Sequence, residues 1–241
     1  MNVVLEEILR TQTVRTPGGE ALPLRSAVTR EEGEFLQGLV SELGAVLSLE
    51  VGLAYGLSAL FICEALSRTA GARHIVIDPK QLEPNRWQGV GLENLKRAGY
   101  GAMVEFYPLP SHQALPQLDA RGVKVDFAFI DGWHVFDYAL LDFFYIDRLL
   151  RVGGVVALDD AWLPGVRKVC RYIVTNRSYR VLSAVGGTSK GCTGVPHALG
   201  RWLKPELTNP DRALGLSPHS RCVALRKEAE DNRPWDFHQE F

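Results

Sequence analysis

The stretch LEVGLAYGLSAL, Leu49 to Leu60, decides the reading of the chain. It starts as an apolar, β-prone run, breaks at Gly52 and Gly56, and resumes as an apolar segment from Leu57. A strand, a tight turn and a helix start in that order bring backbone amides and the positive end of a helix dipole to one point. Glycine lets that backbone come close to a ligand. The spacing is G-x-x-x-G, not the G-x-G-x-x-G of a dinucleotide site. Glu50 stands just before the turn, where it would repel a pyrophosphate and attract a cationic ligand. Taken alone, the turn is read equally well as a plain strand-to-helix connection.

Working outward, strands and helices alternate. Strands are expected at residues 45–51, 73–77, 102–107, 125–130 and 155–158, and helices at 58–67, 91–98, 135–150 and 166–176. In the last of these, Val166, Val169, Cys170, Ile173 and Val174 form one apolar stripe. This alternation predicts an α/β fold: a doubly wound, Rossmann-like sheet, mostly parallel, with helices on both faces. The runs at 179–185 and 221–226 have no clear helix between them, so the last strand is expected to be antiparallel. Upstream, residues 3–9 read as a short amphipathic helix, followed by the linker RTPGGEALPLRSAV. Thr29 with Glu32 forms a capping box that opens a further helix.

The chain of 241 residues is read as one domain, residues 1–241. Residues 1–28 are its N-terminal helix and linker. Residues 186–220 are an insertion or loop near the substrate site, with Lys190, Arg201, Trp202, Leu203, Lys204 and Leu214 suggesting a mixed apolar and polar wall. The formal net charge of -1 offers no basic excess for a nucleic-acid backbone, so no nucleic-acid partner is expected. No apolar run approaches bilayer length, so no membrane partner is expected. Cys63, Cys170, Cys192 and Cys222 form no C-x-x-C pair, and the N-terminus lacks the pattern of a secretion signal. Reduced thiols and a cytoplasmic location are expected.

In a sheet of this kind ligands bind beyond the carboxyl ends of the strands, so the residues after each strand matter most. Asp78, in IVIDP, follows Gly56 by 22 residues, about where a nucleotide fold places its ribose-binding acid. The alternative is a turn-forming Asp-Pro. LEVGLAYGLSAL, IDP and the Asp-ended later strands resemble the class I S-adenosylmethionine-dependent methyltransferases. EEGEFLQGLV, ahead of the first large strand, resembles the lead-in helix of their cation-dependent O-methyltransferases, the catechol and caffeoyl-CoA type with its antibiotic-biosynthesis relatives. The resemblance implies a methyl transfer from S-adenosylmethionine to a hydroxyl of a small molecule. It also implies that Gly52, Gly56 and Ser58 line the methionine part of the cofactor, with Glu50 near it, and that Asp78 holds the ribose. Ser111 keeps the place of an adenine-contacting serine, but Pro110 replaces the acid that often precedes it.

FAFIDGWHVFDY, Phe127 to Tyr138, ends a buried strand with Asp131, Gly132, Trp133 and His134. The next strand, VVALDDA, ends at Asp159 and Asp160. Neighbouring parallel strands would bring these carboxylates to one rim, where they would repel each other unless a hard divalent cation such as Mg²⁺ joined them. By the resemblance, Asp131, Asp159 and Asp160 fall on the metal-ligand positions, and His134 on that of the base that takes the substrate proton. The alternatives are a helix cap for Asp159, an arginine pair for Asp160 and a helix-start role for His134. Trp133 is expected to pack on the adenine or on the substrate, with simple packing at a helix start as the alternative. The competing functions are a metal-independent methyltransferase acting on another nucleophile and a non-catalytic cofactor-binding module. A homodimer is expected from the resemblance.

Overall fold

The computed structural model describes residues 1–186, 211, 214–217 and 219–241. Its centre is a seven-stranded sheet built from β3 (Leu47–Val51), β4 (Arg73–Ile77), β5 (Val104–Tyr107), β6 (Val125–Ile130), β7 (Leu150–Leu158), β8 (Tyr179–Val185) and β9 (Cys222–Lys227), in the order β5-β4-β3-β6-β7-β9-β8. Pairings from β5 to β7 are all parallel, and β9 runs antiparallel to both of its neighbours. This is the doubly wound sheet with an antiparallel last strand that the alternation predicts.

Strand residues alternate between two cores. In β6, Phe127 and Phe129 pack with α1 (Val3–Thr11), α2 (Arg30–Leu43), α3 (Leu57–Leu66) and α4 (Val90–Arg97). Ala128 and Ile130 face the other way, against α5 (Ser111–Ala120), α6 (Phe136–Leu149) and α7 (Pro164–Asn176). All six residues of β6 are buried, as a central parallel strand covered on both faces requires. The α3 helix is apolar almost all round because it is sandwiched between α2 and the sheet. The Thr29–Glu32 capping box is present at the start of α2.

Two local readings differ. The linker contains a short antiparallel hairpin, β1 (Thr13–Arg15) and β2 (Ala21–Pro23). Its strands have three residues each, too few to show a period of two. The α5 helix carries Pro116 inside it and has only a weak apolar stripe, so residues 111–120 do not announce a helix. Most of the expected wall at 186–220, with Lys190, Cys192, Arg201, Trp202, Leu203 and Lys204, lies outside the described residues. Among the described residues no helix is long and apolar enough to cross a membrane.

Candidate active site

The site is set by backbone register at the carboxyl edge of the sheet. The ladder continues one residue past each strand. Asp78 donates its amide to Tyr107 (3.2 Å), Gly52 to Ile77 (2.9 Å), Asp131 to Val51 (2.9 Å) and Asp159 to Ile130 (3.0 Å). Gly52, Asp78, Asp131 and Asp159 therefore stand side by side on one rim, with β3 and β6 flanking the point where the strand order reverses.

Gly52 has φ +94°, and a Cβ there would meet the Asp131 carbonyl oxygen at 2.1 Å. Only glycine lets the turn pass so close to the neighbouring strand end. Asp78 holds the same turn: its Oδ2 accepts from the amides of Leu53 and Ala54 (both 3.1 Å), and its Oδ1 from Lys80 (2.8 Å). Gly56, with φ +79°, caps α3, and a Cβ on it would press on the Gly91 carbonyl at 3.0 Å. Its requirement comes from packing against α4.

Two cavities open on this rim. The smaller, of about 280 Å³, is lined by Gly52, Asp78, Ser111, Asp131, Trp133 and Tyr138, among others. Trp133 is 65% exposed and lies 5.5 Å from Tyr138, ring to ring, so the pair forms one side of its mouth. Glu50, Gly56 and Ser58 are not among its lining residues. Glu50 is fully buried behind the turn, where Ser58 Oγ donates to its Oε2 (3.1 Å) and His74 Nε2 lies 3.6 Å from its Oε1. Its charge still reaches the rim, because it adds to the upward push on the Asp131 carboxyl.

The larger cavity, of about 920 Å³, shares Ala54, Trp87, Asp131 and Gly132 with the smaller one. Asp131, His134, Asp159 and Asp160 all line it, together with Glu32, Trp162 and Arg221. Asp160 takes a left-handed conformation, φ +49°, a strained turn that an aspartate tolerates better than most residues. Its carboxylate accepts from Trp162 Nε1 (2.8 Å) and lies 3.3 Å from His134 Nδ1, so an indole and an imidazole stand where an arginine pair was the alternative. The other imidazole nitrogen is 3.1 Å from Asp131 Oδ1. Asp159 caps no helix, since α7 begins after Leu163 without a side-chain cap.

The electrostatics follow from this crowding. Burial pushes the Asp159 carboxyl far above the usual carboxylate range, and the charges of Asp131, Glu32 and Asp160 push it the same way. Its Oδ1 is buried and has no hydrogen-bond partner among the described residues. Burial also raises Asp131, opposed by His134. His134 is raised in turn, first by its hydrogen bond to Asp131, against desolvation. An all-oxygen donor set with an orphaned carboxylate atom suits a hard cation. Among the described residues, however, no three acidic, histidine or cysteine groups already converge at ion-binding spacing. His134 occupies the position between Asp131 and Asp160.

Two site residues had weak signals in the sequence. Glu32 reads only as a capping residue, yet it also faces the larger cavity. Asp142 lines the smaller cavity from α6, and its only signal was an acid inside the apolar run ALLDFFYI.

Comparison with known proteins agrees with this geometry. Residues 49–161, from β3 to just past β7, match the family model described as a methyltransferase domain. An Arabidopsis thaliana protein named provisionally as a caffeoyl-CoA O-methyltransferase is 32% identical over 156 residues, 63% of this chain and 61% of that protein. A catechol O-methyltransferase of Mycobacterium tuberculosis is 32% identical over 140 residues, 56% of this chain and 57% of that protein. The chain thus spans about six-tenths of the length of these relatives. Among solved structures, the O-methyltransferase from Bacillus cereus in complex with S-adenosylhomocysteine superposes with a TM-score of 0.63 at 20% identity, covering 94% of this chain and 92% of that one. The O-methyltransferase TomG from Streptomyces achromogenes, in complex with S-adenosylmethionine, gives 0.61 at 20% identity, covering 84% and 82%. These two likenesses speak for the fold. The domain match and the curated relatives lead to one conclusion: residues 49–161 carry a methyltransferase domain, in a chain similar to O-methyltransferases.

Proposed function

We propose that this protein transfers a methyl group from S-adenosylmethionine to a hydroxyl of a small molecule, with a divalent cation such as Mg²⁺ at the acidic rim. One observation carries the reading: the cavity holding Asp131, His134, Asp159 and Asp160 shares a wall with the cavity holding Gly52 and Asp78. An acceptor in the first would lie next to a donor in the second. The names of the relatives support hydroxyl oxygen as the acceptor atom.

In this reading the smaller cavity binds the cofactor, with Gly52 allowing close approach and Asp78 and Ser111 supplying polar contacts. Asp131, Asp159 and Asp160 would hold the cation, and the orphaned Oδ1 of Asp159 is the strongest support for one. The cation would supply positive charge that lowers the pKa of the acceptor hydroxyl and offsets the carboxylates around His134. His134 would take the hydroxyl proton, and S-adenosylmethionine held in the smaller cavity would supply the methyl group. The walls contribute by positioning and by excluding water around the oxygen.

A second reading, metal-independent transfer, is favoured by the placement of His134 between Asp131 and Asp160. The test is methyl transfer to a catechol such as 3,4-dihydroxybenzoate and to a caffeoyl thioester, with chelator or with Mg²⁺. The first reading expects turnover only with Mg²⁺, and a loss of about 10²–10⁴-fold in His134→Gln with S-adenosylhomocysteine binding intact. Equal turnover under chelation, tolerated by Asp160→Asn, selects the second reading. No S-adenosylhomocysteine binding in calorimetry leaves a non-catalytic module.

A further inference from the structure

The smaller cavity contains an acid that the proposed reaction does not use. Asp142 projects from α6, is 1% exposed and lines the cavity. Among the described residues its Oδ1 has no hydrogen-bond partner. Its Oδ2 lies against another wall residue, since a Cβ on Gly132 would come within 3.3 Å of it. No lysine or arginine among the described residues pairs with it, and the Ser111 hydroxyl only partly offsets its burial. A carboxylate buried without a full set of donors costs stability, and such groups persist where a ligand brings the missing donor.

The position just before Ser111 offers no acceptor of its own. Pro110, at the start of α5, has neither an acidic side chain nor an N–H, and its carbonyl is already used by the amides of Gln113 and Ala114 (2.9 and 3.0 Å). The remaining surface is largely apolar, with Ile77, Trp133 and Tyr138, beside the polar Lys80, Arg86 and His112. A planar heteroaromatic ring bearing an N–H donor complements such a wall.

We propose that Asp142 reads the base of the cofactor by accepting a hydrogen bond from the exocyclic amino group of adenine. This rests on the smaller cavity being the S-adenosylmethionine site. A carboxylate accepts from an amino group and repels the oxo group that replaces it in hypoxanthine, so Asp142 selects adenine by chemistry as well as by shape.

The experiment is calorimetric titration with S-adenosylhomocysteine and with its deaminated analogue, S-inosylhomocysteine, paired with thermal unfolding of the ligand-free protein. The wild type is expected to prefer the adenine form by about 10- to 100-fold, the range of one hydrogen bond to a charged group. Asp142→Asn can present either its oxygen or its amino group, so the preference should fall to within about threefold, with a ligand-free melting temperature equal to or above that of the wild type. If that variant does not fold, Asp142→Ser removes the charge with a smaller side chain. An unchanged preference in the variant overturns the proposal, as does an equal loss of both ligands with a lowered melting temperature. A wild type that binds neither ligand overturns the cofactor reading itself, and this inference with it.

Discussion

Replacing Asp159 by asparagine should make the metal-free protein more stable and should abolish its response to Mg²⁺. Asp159 Oδ1 is buried with no partner among the described residues, and the nearby charges of Asp131, Glu32 and Asp160 disfavour its ionised form. An unsatisfied buried polar group costs about 1–3 kcal/mol, and more when it is charged. The amide keeps a polar oxygen there but never ionises, so the change should recover the part of the cost tied to the charge, of about that order. For a chain of 241 residues this corresponds to roughly 3–9 °C in Tm, at about 3 °C per kcal/mol. The wild type should instead gain stability from Mg²⁺, by about 2.7 kcal/mol at a hundredfold excess over Kd. Differential scanning calorimetry of chelator-treated protein, with and without Mg²⁺ and in the presence of S-adenosylhomocysteine, reads both effects. A variant that melts below the wild type without metal, yet keeps the same Mg²⁺ shift, would refute the reasoning. Asp159 would then be a structural acid with partners of its own.

Two further outcomes follow from the rim. Burial raises the Asp142 carboxyl to about 6. An acid with a raised folded pKa stabilises the fold most below its unfolded pKa and loses that contribution as pH rises through the folded value. Urea unfolding should therefore show up to about 3 kcal/mol of stability lost between about pH 4 and pH 6 through this residue, and Asp142→Asn should flatten that part of the profile. Gly52→Ala forces a Cβ to 2.1 Å from the Asp131 carbonyl oxygen at a positive φ. It should cost at least about 2 kcal/mol and weaken S-adenosylhomocysteine binding in calorimetry; an unchanged affinity would count against the turn as part of the cofactor site.

The sheet was legible in the sequence because its parallel strands are covered on both faces and read as unbroken apolar runs, as Phe127–Ile130 does. The rim acids were legible for the same reason, since each follows directly on such a run. Element ends shifted by only a few residues at most boundaries, but β7 begins at Leu150, five residues before its expected start. The irregular register between β6 and β7 accompanies that longer strand. What stayed hidden depends on contacts between segments. Glu50 precedes the glycine turn in sequence, but alternation along β3 turns its side chain into the core toward His74 and Ser58. Asp142 sits on a helix face whose importance appears only when α6 packs beside α5 and brings it to Ser111 and Gly132. Glu32 shows its capping role in a four-residue pattern, while its place on the cavity wall needs the docking of α2.

The central claim is that Asp131, Asp159 and Asp160 bind one divalent ion beside the bound cofactor. A crystal structure of the protein soaked with Mn²⁺ and S-adenosylhomocysteine, with anomalous diffraction from the metal, tests it most directly. The account predicts a single anomalous peak within bonding distance of all three carboxylates, next to the cofactor sulfur. Bound cofactor with no peak at the rim, and His134 still hydrogen-bonded to Asp131 and standing beside Asp160, would contradict it.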